Sequence, residues 1–321
     1  MFKINKKILK FTFFTYISFS IFFILNSNFA FSQEEPLQID IMGGNIQAMP
    51  VAISYFSIEE ELKELKLHKD IPNLIANNLV NSGLFQLLNR DAYMQNPEQL
   101  NATPKFRDWR IIDAQALITG KILKKSDNKI SVSVELWDVY GEKRMFGISL
   151  SSKTKSWRRI SHIISDKIYE RLTGEEGYFD TRIVYVSESG SQTNRKKRLA
   201  IMDQDGANHQ FLTDGNTLVL TPRFSPNQQQ ITFFSYRGIN RGIKPSVYLY
   251  NLITGKMNIL GQFPGMSFSP RFSPDGSNLI MSLSQNGSTN IHLMNLDNKK
   301  IKQLTKGKAI DTSPSFSPDG Q

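Results

Sequence analysis

Cysteine is missing from all 321 residues, which excludes a disulfide framework and a lipid-attachment cysteine. Histidine is scarce: His68, His162, His209 and His292 fall in four separate elements without the spacing of metal ligands. Also missing are a Gly-x-Ser-x-Gly elbow, a phosphate-binding Gly-rich loop with its lysine, and a His-Glu-x-x-His pair. The sequence therefore predicts no enzyme, no metal and no cofactor. Asp203-Gln-Asp205-Gly206 opens like a calcium loop, but no glutamate follows at the twelfth position, so a turn between strands is expected. His162 sits off the apolar stripe of its helix or at the edge of it, a place for a helix-surface or interdomain hydrogen bond rather than catalysis.

A long apolar run is lacking too. Phe11 to Leu25 is only 15 residues, short of the roughly 20 that a spanning helix needs. It follows Lys3, Lys6, Lys7 and Lys10 and precedes Ala30-Phe31-Ser32, so residues 1–32 read as a secretory signal peptide cleaved after Ser32. Removing it takes four lysines and no acid, and the formal charge falls from +10 to +6. Much of the basic character thus belongs to targeting. Arg195-Lys-Lys-Arg198 reads as a solvated loop, since no stacking aromatics or nucleic-acid motif accompany it. An exported protein is expected, periplasmic in a Gram-negative cell, with no nucleic-acid partner and no membrane insertion after cleavage.

What is present divides into two grammars. In residues 33–45, Leu37, Ile39 and Ile41 alternate with Gln38 and Asp40 ahead of Gly43-Gly44, a short strand with one apolar face that is detachable in principle. Residues 46–178 read as an α/β domain. Pro50 to Phe56 suits a central strand, and Asp70 is placed to cap a helix with Pro72 in its first turn and Ile71, Leu74, Ile75 and Leu79 on one face. Gly83 ends that helix in the left-handed conformation. Strands are expected at 116–122, 130–138 and 143–150, then a second main helix from Ser156 to Leu172 with Trp157, Ile160, Ile164 and Ile168 as its stripe, stopped by Gly174.

From 179 to 321 the chain repeats. Pro222-Arg-Phe-Ser-Pro-Asn, Pro270-Arg-Phe-Ser-Pro-Asp-Gly and Pro314-Ser-Phe-Ser-Pro-Asp-Gly begin 48 and 44 residues apart, and strand-like segments keep the same register. Four strands per period is the signature of a β-propeller blade. Ser-Pro-Asp-Gly has tight-turn composition, and Phe224, Phe272 and Phe316 are expected to pack between blades. Two blades are complete, the segment Ile183 to Thr213 supplies only three outer strands, and a fourth blade is entered. About three blades are therefore present, an incomplete propeller, which six-bladed closure would extend by roughly another 120 residues.

The combination resembles the TolB family, the periplasmic components of the Tol–Pal system. The resemblance is carried by Asp70-Ile-Pro, Asn81-Ser-Gly-Leu-Phe85, Ala114-Gln-Ala-Leu-Ile-Thr-Gly120, Tyr178-Phe-Asp-Thr-Arg-Ile-Val-Tyr185, the Pro-x-Phe-Ser-Pro repeats and Ile291-His-Leu-Met-Asn-Leu296. It implies a six-bladed propeller, no enzymatic activity, and two principal partners. The lipoprotein Pal would dock at the propeller mouth, at Met266, Ser269 and Thr312 in loops before the innermost strands, while TolA would take Leu37, Gln38, Ile39, Asp40 and Ile41 by pairing along a sheet edge. Some relatives carry histidine where Met266 stands, so the loop's position transfers rather than a polar contact. Other outer-membrane proteins are further candidate partners. The alternative is the propeller of a secreted serine peptidase whose hydrolase domain lies further along the chain; a glycan-binding propeller would need more exposed aromatics than Phe263 and Phe268.

Overall fold

The computed structural model of the protein describes residues 47–237, 244–263, 267–285 and 287–320. Residues 1–32, the segment 33–45 with Leu37, Gln38, Ile39, Asp40 and Ile41, and Met266 lie outside the described residues.

The α/β region is built on one mixed sheet. In chain order come β1 (Met49–Ile53), β2 (Ser57–Ile58), α1 (Leu67–Asn81), β3 (Phe85–Leu87), α2 (Phe106–Arg110), β4 (Ala116–Ser126), β5 (Lys129–Asp138), β6 (Lys143–Lys153) and α3 (Trp157–Thr173). The sheet runs β3-β1-β4-β5-β6; β1 is parallel to β3 and β4, and β4 to β6 form an antiparallel meander. β2 continues along the β4 edge used by β1. Side chains alternate between two cores, as a pleated strand requires. Val51, Ile53 and Ile118 face the core covered by α1 and α3, while Ala52 and Leu117 face a smaller core with Trp109 and Trp137.

The start of α1 differs from the sequence expectation. Asp70 is not the cap: the helix begins a turn earlier, after Lys66 at φ 56°, with the Asp70 N–H already donating to the Lys66 carbonyl at 3.1 Å. Pro72 is therefore inside the helix, where its missing N–H leaves the His68 carbonyl without its helical donor. The Phe56 N–H supplies one instead, at 3.0 Å. At the other end Gly83 is left-handed at φ 77°, as read from the sequence, with its N–H on the Val80 carbonyl at 2.9 Å. Gly174, left-handed at φ 81°, closes α3 with its N–H on the Glu170 carbonyl at 2.9 Å.

The propeller region forms three antiparallel sheets. β7 (Arg182–Ser189), β8 (Lys196–Asp203) and β9 (Gln210–Phe211) make the first; β10 (Leu218–Phe224), β11 (Gln230–Arg237), β12 (Lys244–Asn251) and β13 (Met257–Gln262) the second; β14 (Ser267–Phe272), β15 (Asn278–Gln285), β16 (Ser288–Asn295) and β17 (Ile301–Gln303) the third. The basic run is corrected by this assignment. Lys196, Lys197 and Arg198 begin β8 rather than lying in a loop, since their backbone pairs with Ser189, Glu188 and Ser187 of β7; the Glu188 carboxylate meets Arg195 at 2.6 Å and Lys197 at 3.4 Å.

Sequence repeats become repeated bonds. In the first and third sheets a Leu-Thr pair closes the outer strand: Leu212 donates to the Leu199 carbonyl while Thr213 Oγ1 accepts from the Leu199 N–H, and Leu304, Thr305 and Ile291 do the same. The Ser-Pro turns are held by their serines, since Ser225 Oγ and Ser273 Oγ each accept the N–H five residues on. The fourth turn residue is left-handed, which suits Gly276 and Gly320; in the second sheet Gln228 adopts φ 54° there. Gln228→Gly is therefore expected to stabilise the protein by about 1 kcal/mol, read as a higher denaturant midpoint with an unchanged slope.

Candidate functional site

Two regions gather polar or loop residues; the first holds the rim positions expected from the family resemblance, and the second holds His162 and the Asp203-Gln-Asp205-Gly206 turn. At the propeller rim, Ser269 does not lie in a loop as expected but within β14, at a register irregularity between Phe268 and Arg271. The strand begins earlier because Ser267 and Phe268 already pair with Leu283 and Ser282. Thr312 is exposed and follows a segment tied to β16: the Asp311 N–H donates to the Thr289 carbonyl at 2.8 Å, and Thr289 bridges Ile310. Since β14 starts opposite the end of β15, and β16 starts there too, Ser269 and Thr312 belong to one end of the blades.

The second region is a polar seam where α1 and α3 meet the turn after β8. Asn78 and His162 are both nearly fully buried, at 1% and 2% exposure. Asn78 Nδ2 lies 3.0 Å from His162 Nδ1 and donates to Ser165 Oγ at 2.9 Å, while Asn78 Oδ1 accepts from Gln204 Nε2 at 3.2 Å. Gln204 is anchored by its own N–H on the Thr181 carbonyl. Arg158, one turn before His162, is hydrogen-bonded to Asp205 and approaches Asp203 at 4.0 Å. His162 is thus buried rather than on a helix surface, and its hydrogen bond stays within the α/β region, on Asn78; Asn78 makes the bond that crosses to Gln204, and the Asp-Gln-Asp-Gly segment is the turn the sequence predicted.

Electrostatics follow from this packing. Burial pushes the His162 imidazole below its usual range, only partly offset by the Asp205 and Asp203 carboxylates. Burial likewise raises the Asp166 carboxyl, although the N–H groups of Phe179 and Asp180 donate to it at 2.6 and 3.0 Å. Ligand atoms of His162, Asp203 and Asp205 lie within 4.8 Å of one another. The Arg158 guanidinium supplies positive charge beside both carboxylates. Beside the seam a polar cleft of about 690 Å³ is lined by Lys155, Arg159, Asp180, Arg182, Asn208 and Gln229 among others.

Sequence reasoning missed Asn78. Its position was informative: it sits seven residues after Ile71, inside the apolar stripe of α1, and a polar residue there has to find a buried partner. Ser161 and Ser165 interrupt the α3 stripe in the same way.

Comparison with known proteins settles the family. The TolB amino-terminal domain matches residues 37–145 and the TolB beta propeller domain residues 169–321. The chain belongs to the TolB family. The "Tol-Pal system protein TolB" of Paramagnetospirillum magneticum is 47% identical over 252 residues, 78% of this chain and 55% of that relative. The crystal structure of TolB from Acinetobacter baumannii superposes with a TM-score of 0.74 at 27% identity, over 85% of this chain and 64% of that one. The chain thus spans a little over half the length of the curated TolB relative.

Proposed function

We propose that the protein is a non-enzymatic periplasmic scaffold of the Tol–Pal system. The observation carrying this reading is the pairing of both TolB domains, in order, with 47% identity to a Tol–Pal TolB. The propeller rim bearing Met266, Ser269 and Thr312 docks Pal. The segment 33–45 engages TolA, with Leu37, Ile39 and Ile41 adding an apolar face to a partner's sheet edge and Gln38 and Asp40 facing away. By joining the two partners the protein helps hold the outer membrane to the layers beneath it, including during constriction at division. The peptidase alternative gains no support, because the amino-terminal match is to a TolB domain.

Deleting residues 33–45 from the mature full-length protein is expected to weaken binding to the periplasmic part of TolA at least about 100-fold, since main-chain pairing and its side-chain pockets are lost together. Calorimetric titration measures it, with thermal unfolding of the deletion variant as the folding control. An unchanged affinity overturns the assignment of this segment.

A further inference from the structure

Three elements close on the buried His162 side chain. α1 contributes Asn78; the end of β8 and the turn after it contribute Asp203, Gln204 and Asp205; Asp180 approaches from the segment before β7; and α3 itself adds Arg158 and Asp166. Ser165 Oγ donates to the Ser161 carbonyl at 2.8 Å and so is left to accept from Asn78 Nδ2. With that amide group also facing the imidazole, Nδ1 is the acceptor, and the neutral ring carries its proton on Nε2. Nε2 lies 3.7 Å from Asp205 Oδ2, beyond a hydrogen bond, and has no hydrogen-bond partner among the described residues.

We propose that His162 works as a proton-operated latch between the helical layer and the first blade, its second proton turning Asn78 and releasing Gln204. That proton must go on Nδ1, where the resulting N–H meets the N–H of Asn78 head-on. Half a turn of the Asn78 amide relieves the clash by presenting Oδ1 to the imidazolium. The same rotation points Nδ2 at Gln204 Nε2, so Gln204 no longer donates across the seam to Asn78.

The carboxylates of Asp203, Asp205, Asp180 and Asp166 favour the imidazolium; Arg158 opposes it and burial opposes it more, so the ring is neutral at neutral pH. Below the ordinary histidine value of 6.5 the unfolded chain takes up a proton that the folded protein resists, and stability falls with pH. The loss stops where folded His162 itself becomes charged. There the latch opens.

The intact protein tests this. The His162 imidazole is titrated by NMR from about pH 8 to about pH 4 while exchange of the Gln204 side-chain amide protons is followed, after correction for intrinsic rates. Exchange is expected to quicken roughly tenfold at the midpoint of the His162 titration, the effect of one lost hydrogen bond. His162→Gln should remove that step, because its amide does not charge. Asn78→Asp gives a second reading: its carboxylate accepts from both Nδ1–H and Gln204, so the His162 midpoint should rise and the step vanish. Protection at Gln204 that ignores the His162 titration overturns the latch, and so does an unaltered step in either variant.

Discussion

Gly120→Val lowers the stability of the protein by about 3 kcal/mol, the upper end of what overpacking a filled core costs. Gly120 lies in β4 opposite the break between β1 and β2, and the Phe56 ring lies flat against its backbone. A Cβ added there would stand 2.7 Å from three atoms of that ring. Phe56 cannot retreat, since it is 1% exposed and its N–H is committed to the carbonyl that Pro72 leaves open in α1. One contact therefore joins a glycine on a strand, an aromatic in a chain break and a proline in a helix. Denaturant unfolding measures the cost, and Phe56→Leu in the Gly120→Val background should recover about 1 kcal/mol through direct coupling. Independent, additive effects would contradict the contact.

Trp109→Ala has a comparable effect on the opposite face of the sheet, about 4 kcal/mol. The indole is 1% exposed, donates to Gln95 Oε1 at 2.8 Å and packs edge-on against Tyr93 with centroids 4.9 Å apart. Tyr93 in turn accepts from the Ile53 N–H and donates to the Leu88 carbonyl, which ties this aromatic cluster to β1. Truncation leaves a cavity and takes the hydrogen from Gln95. Trp109→Phe keeps most of the packing and should cost about 2 kcal/mol; chemical unfolding followed by fluorescence of the other two tryptophans checks both variants. Equal losses for Ala and Phe would show that the hydrogen bond, not the packing, carries the site.

Trp109 also marks where sequence reading stops. The two main helices, the meander and the blades were legible because each repeats an apolar residue at a fixed period, as Ile130, Val132 and Val134 do along β5, or as Leu212 and Leu304 do across blades. α2 has five residues and gives no period to read, so the cover over the second core went unseen. The displaced start of α1 has another cause. Asp70 has the right chemistry for a cap, but the chain already turns into the helix after the left-handed Lys66, and the Phe56 N–H takes the carbonyl that Pro72 leaves open. The Asn78–His162–Gln204 seam joins residues up to 126 apart, and no local pattern reports a contact at that range. The rim was legible only through family resemblance, as a place in the blade register.

A Tol–Pal scaffold whose propeller rim docks a partner should bind Pal, and the measurement is the affinity of the mature full-length protein for Pal, with and without Thr312→Arg. Thr312 is exposed and its neighbour Asp311 is held by backbone pairing, so the substitution changes the surface without disturbing a core. The unaltered protein is expected to bind and the variant to bind at least about tenfold more weakly, with both unfolding at the same temperature. Failure of the unaltered protein to bind Pal, or equal affinity of the two, would contradict the docking role.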